Sequence, residues 1–204
     1  MIQNKLSITT HLSNSINVIR GAAALGVIWG HSIYYTPFPI NLEASLWVWV
    51  FLVISGYLVG KGFINGQYQL QVKGFKRFII NRALRIFPLF YLALIISTIF
   101  YSVSDELFPS NILRQLAFFP PLNRMTLSGP LWSIATEIQF YASTLFLIPF
   151  IRQFWKYQHY FIGLLLVIAA AVAGYYWTRY TGENISAPTT LVGNLVFFIV
   201  GLLI

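Results

Sequence analysis

Residues 16–35 read INVIRGAAALGVIWGHSIYY, an apolar run of membrane-spanning length that carries Arg20 and His31 inside it. At about 100° and 1.5 Å per residue, the offset from Arg20 to His31 ends roughly 20° past three full turns. The two side chains therefore share one helix face, about 16 Å apart along it. An ionisable side chain at the bilayer centre costs on the order of 2.5–3.5 kcal/mol on insertion scales, so such groups face protein or a polar cavity. Two readings stand side by side. Arg20 snorkels to the cytoplasmic edge and His31 is a satisfied core residue, or the pair belongs to a site.

Hydrophobic residues make up 57% of the chain and charged residues 9%, far below the roughly 25% charged of soluble domains. This is the composition of an integral membrane protein. Runs of spanning length fall near 16–35, 45–64, 84–103, 131–151, 159–178 and 188–204. They predict an all-α membrane protein, a bundle of about six transmembrane helices. A shorter apolar piece at 112–121, closed by Pro120 and Pro121, reads as an interfacial or re-entrant segment.

The basic residues set an orientation. With the N-terminus inside, cytoplasmic segments carry Lys5, Arg20, Lys61, Lys73, Lys76, Arg77, Arg82, Arg85, Arg152 and Lys156, ten of the 13 Lys and Arg. The outer loops carry Arg114, Arg124 and Arg179 beside Glu43, Asp105, Glu106 and Glu183. This is the positive-inside pattern, with both termini cytoplasmic. The net charge of +8 is then a topology signal, and no nucleic-acid partner is expected; membrane lipids are. The polar stretch before residue 16 and the lack of a small-residue cleavage site in HSIYYTP argue against a cleaved signal peptide. The chain has no cysteine, which removes disulfides, thiolate metal sites and a Cys-bound acyl intermediate. No internal repeat divides it, and residues 61–84 read as a basic cytoplasmic loop within one domain.

Depth links the helices. His31 lies about 6 Å below the outer end of the first span and Glu137 about 9 Å below that of the fourth. They are nearly level, close enough in depth to touch. Ser133, Glu137 and Tyr141 follow at i, i+4, i+8 on one face, and Glu137 is the one acidic residue inside a span. A structural pair and a catalytic role are about equally open for Glu137. Gly26 with Gly30, and Gly56 with Gly60, make small-xxx-small spacings that favour close helix packing, with substrate contact by Ser55 as the weaker alternative. Arg82 and Arg85 share a face at i, i+3 downstream of Lys73, Lys76 and Arg77. Attraction to anionic headgroups explains them, and so does a clamp on a phosphorylated donor.

Four segments in order, NVIRGAAALGVIWGH, FLVISGYLVG, NRALRIFPLFY and GPLWSIATEIQFY, resemble the successive signatures of the membrane-bound acyltransferase 3 family over about residues 16–150. The resemblance implies a single integral-membrane acyltransferase domain over 1–204. It makes Arg20 and His31 the signature pair with His31 catalytic, and associates Arg82 and Arg85 with the acyl-CoA donor on the cytoplasmic side. Trp132, Ser133, Glu137, Phe140 and Tyr141 fall on the family's Trp-Ser...Glu...Phe-Tyr run. The implied reaction moves an acyl group, commonly acetyl, from acyl-CoA to a hydroxyl of a cell-envelope or exported glycan or a glycoside, at a bacterial cytoplasmic membrane. The donor is a substrate, and neither a resident cofactor nor a metal is expected.

The site residues to look for are thus His31 and Glu137 for chemistry, and Arg20, Ser55, Arg82, Arg85, Trp132, Ser133 and Tyr141 for binding. The sequence departs from the family pattern at Asn17, where an acidic residue often stands three before the Arg, and at Ile138, where a second glutamate often follows the first. Members resemble a bundle of roughly ten helices, which sets the expectation that this sequence is incomplete at its C-terminus. A non-catalytic assembly partner is the competing class. A transporter is a weaker one, since no paired broken helices form a repeat.

Overall fold

The computed structural model describes residues 2–32, 44–102, 113, 116–118, 131–157, 160–182 and 190–204. Six helices account for nearly all of them: α1 Ile2–Ser32, α2 Ala44–Ile64, α3 Val72–Ser102, α4 Leu131–Tyr157, α5 Tyr160–Thr181 and α6 Leu191–Leu203. There is no strand among the described residues. The expected all-helical membrane fold is what the chain adopts.

Four of the six helices, not all six, are long and apolar enough to cross a bilayer: Ala44–Ile64, Val72–Ile99, Leu131–Pro149 and Phe161–Thr181. In α1, Asn17, Arg20 and His31 interrupt the apolar run. The 13 residues of α6 reach only about 20 Å against a hydrocarbon core of about 30 Å. The third helix also begins at Val72, not near residue 84, so the expected loop at 61–84 shrinks to a turn at 65–71. Lys and Arg are good helix formers, and a hydropathy pattern registers only the lipid-immersed part of a helix that continues beyond the membrane. Most of the segment at 112–121 and the loops at 36–43 and 104–112 lie outside the described residues. Within the former, the Ala117 N–H donates to the Leu113 carbonyl at 3.1 Å.

The turn folds back onto the bundle. Gly66 takes the left-handed conformation at φ 71°, open to glycine without strain, and the Tyr68 N–H donates to the Gly62 carbonyl at 3.1 Å. This seats the Tyr68 ring among Phe63 and Phe78, at 5.6 and 5.2 Å between centroids.

Glycines decide which helices meet. α1 packs along α2 with Gly26 against the Trp47 ring and Gly30 against Ala44, where a Cβ would come within 2.8 Å of the backbone. α2 packs along α6 more closely still: a Cβ on Gly56 would strike the Phe198 carbonyl, and one on Gly201 the Val53 carbonyl. Trp49 stacks on Phe197 at 4.7 Å and Phe140 on Phe198 at 3.9 Å, tying α2 and α4 to α6. α5 packs along α6, and α3 leans on α4. The spanning window of α2 is 44% buried and that of α3 only 11%, so α2 is central and α3 lines the edge, with Leu84, Leu92, Ile95 and Ile99 exposed as lipid-facing side chains are.

Candidate active site

α1, α2, α3 and α4 line a partly open cavity of about 590 Å³. Its lining includes Arg20 and His31 from α1, Ser55 from α2, Arg85 from α3, and Trp132, Ser133 and Glu137 from α4. Four helices that share no sequence neighbourhood converge there. The gap exists because the glycine contacts draw α1 onto α2 while α3 packs on α4, leaving the space between the two pairs unfilled. Arg20, Ser55 and Glu137 are half-buried, whereas His31 and Arg85 line the same space and remain exposed.

Glu137 is held by hydroxyl groups. Ser55 Oγ donates to Glu137 Oε1 at 2.6 Å, and Tyr141, one turn further along α4, donates its OH to the same oxygen. The expected contact between Glu137 and His31 does not form as a hydrogen bond. Both groups line the cavity, yet the carboxylate's bonds go to Ser55 and Tyr141. The i+4 spacing of Tyr141 puts it on the same helix face and nearer than any group on α1.

Two guanidinium groups, Arg20 and Arg85, face one carboxylate in the lining. Two guanidinium groups against one carboxylate leave the lining with a positive excess. In a low-dielectric setting such an excess draws in an anion.

Arg82 stands apart from Arg85. Its guanidinium lies over the Tyr141 ring at 5.2 Å and the Phe78 ring at 5.6 Å. It lines a separate cavity of about 90 Å³ with Tyr141, and Ile86 borders both spaces. Seven of the nine residues expected from sequence thus meet in one cavity, and Arg82 and Tyr141 approach it from behind Glu137. Sequence reasoning missed the apolar wall formed by Phe51, Leu52, Leu89 and Phe90. No signal marks it, because such residues read the same whether they face lipid, core or ligand. Among the described residues no cluster of His, Cys, Asp or Glu could hold a metal ion.

Compared with known families, the chain matches the model described as an acyltransferase domain over residues 13–204. No significant match is found among curated proteins or among solved structures.

Proposed function

Because that match makes the chain a member of the acyltransferase 3 family, a multi-pass membrane acyltransferase, we propose that it moves an acyl group, acetyl in the first instance, from acyl-CoA to a hydroxyl of a cell-envelope or exported glycan or glycoside. The observation that carries this reading is the convergence of Arg20, His31, Ser55, Arg85 and Glu137 on one cavity with positive excess. A CoA ester offers phosphates for guanidinium groups, which grip phosphate oxygens bidentately. Lys61 near the end of α2 and Lys73, Lys76 and Arg77 at the start of α3 fit a cytoplasmic approach of the donor, at a bacterial cytoplasmic membrane. Arg85 with Arg20 meets the donor's negative charge in this scheme, and the acceptor comes from the opposite side.

His31 then acts on the acceptor. Its imidazole takes the hydroxyl proton as the acceptor oxygen attacks the thioester carbonyl. The C–S bond breaks, the C–O bond remains, and the departing CoA thiolate recovers the proton from the imidazolium. If His31 takes the acyl group first, the imidazole nitrogen attacks the thioester, CoA leaves as the thiol, and the acceptor hydroxyl displaces the imidazole. Trp132 and Ser133, which line the same cavity as His31, give the acceptor an aromatic wall and a hydroxyl partner.

The test is transfer of radiolabelled acetyl from acetyl-CoA into an envelope glycan fraction by the purified full-length protein in lipid nanodiscs. The expected result is incorporation that stops in His31→Ala. Absence of both acetyl-CoA binding and transfer by the folded wild-type protein would overturn the reading.

A further inference from the structure

Arg82 is placed by its sequence spacing beside Arg85, yet the two side chains serve different spaces. Arg85 lines the large cavity. Arg82 is laid against two aromatic faces, Phe78 one turn back on α3 and Tyr141 across on α4. Those two rings meet edge-to-face at 5.7 Å and 89°. Arg82 Nε is buried and has no hydrogen-bond partner among the described residues. A guanidinium grips phosphate through its N–H edges, and with Nε sealed inside the protein the Nε–Nη edge of Arg82 is closed to that bidentate contact.

What Arg82 does touch leads to the site. Tyr141 is 4% exposed, so its ring cannot swing away without repacking the α3–α4 seam. Its OH ends on Glu137 Oε1, where Ser55 also ends. Both bonds fall on one oxygen, and Oε2 carries neither. We propose that Arg82 is a positioning residue: its guanidinium clamps the Tyr141 ring, and Tyr141 and Ser55 together hold Glu137 so that Oε2 is presented to the cavity as a hydrogen-bond acceptor. An acceptor hydroxyl on its way to His31 is the group such an oxygen would orient. This role rests on the acyl-transfer reading for its consequence in turnover, while the clamp itself does not depend on which donor is used.

The experiment has two arms on the full-length protein in nanodiscs. The first needs no donor. Glu137 is the one acidic residue among the described residues, and its modification by dicyclohexylcarbodiimide can be followed by peptide mass spectrometry. Tyr141→Phe keeps the ring beneath Arg82 and removes only the OH; Arg82→Lys keeps the charge and loses the planar stack. Each is expected to raise the labelling rate about three- to tenfold, and the double variant no further, since both act through one contact. Faster labelling in Tyr141→Phe with no change in Arg82→Lys would overturn the clamp, as would additive effects.

The second arm reads kinetics with acetyl-CoA. Arg82→Lys and Tyr141→Phe are expected to lower kcat about tenfold with KM for acetyl-CoA held within about twofold, whereas Arg85→Lys raises that KM. An equal rise in KM for Arg82→Lys and Arg85→Lys would make Arg82 a phosphate ligand and overturn the proposal. A wild type that turns over no acetyl-CoA would sink the donor assignment, and the labelling arm would still decide the clamp. If Arg82→Lys does not fold, Tyr141→Phe and Ser55→Ala carry both arms, and wild-type labelling in both variants would overturn the proposed hold on Glu137.

Discussion

The seam between α2 and α6 and the cavity between the α1–α2 and α3–α4 pairs are built from the same apolar alphabet and end in opposite states. At the seam, Gly56 and Gly201 let two backbones touch, and Trp49, Phe140, Phe197 and Phe198 fill what the glycines leave. At the cavity, Arg20, Arg85 and Glu137 stand off one another across a space of about 590 Å³. Lipid tails are as apolar as leucine, so helices in a membrane join where small residues permit close contact. Where they cannot approach, the space is left to ligand. The proposed chemistry sits where packing stops.

The largest effect expected is at the cavity. His31→Ala should lower acyl transfer by about 10²–10⁴-fold, the usual contribution of a general base, with His31→Gln equally poor because an amide cannot take the proton. Glu137→Gln should cost less, about tenfold, because an amide still accepts hydrogen bonds through its oxygen. Full activity in His31→Gln, measured by acetyl incorporation, would move the chemistry off α1. At the seam the expected loss is of stability. Gly56→Leu and Gly201→Leu force side chains into backbone already in contact and should each cost at least about 1–3 kcal/mol, seen as a lower Tm in detergent. An unchanged Tm for both would show that the seam is looser than described.

Arg85→Lys sharpens the contrast from the side of charge. It keeps the positive excess of the cavity and loses the bidentate fork, so KM for acetyl-CoA should rise about tenfold with the Tm unchanged. Equal affinity by calorimetry would point to general attraction. The smallest effect belongs to Gly21, whose Cβ would meet nothing within 4 Å. Gly21→Ala should be neutral or stabilise by up to about 1 kcal/mol, although it lies beside Arg20. A large loss there would show that α1 has a neighbour on that face.

The helices were legible wherever apolar residues run unbroken, as in α2 and α5, and their limits blurred where chemistry intrudes. In α1 the run at 16–35 reads as a span by length, but Asn17, Arg20 and His31 interrupt it, and the helix is not among those apolar enough to cross. The α3 boundary was misread because Lys73, Lys76 and Arg77 look like a loop to a hydropathy count and like good helix to the backbone. The site was legible as a set of residues and not as a set of contacts. Spacing along α1 and α4 brought His31 and Glu137 to similar depth, but depth leaves azimuth open. The serine that meets Glu137 lies on another helix, α2, which is tied to α4 through α6 by Gly56 against the Phe198 carbonyl and by Phe140 stacked on Phe198. Arg82 and Arg85 parted company for the same reason. An i, i+3 pair straddles about 60° of helix circumference, enough for Ile86 to come between the spaces they enter.

The parallel contact of α2 with α6 also sets a timetable. Residues 53–57 meet 198–202, and a ribosome adding roughly 5–20 residues per second needs on the order of ten seconds to make what lies between. Until then the α6 backbone against which Gly56 packs has not been made. Thr190 caps the helix that will fill it, its hydroxyl accepting from the Gly193 N–H at 3.4 Å, and Asn194 Nδ2 secures the same turn through the Thr190 carbonyl at 3.0 Å. α6 can therefore arrive with its first turn already tied, a prefabricated keystone for an arch whose other stones have been held apart.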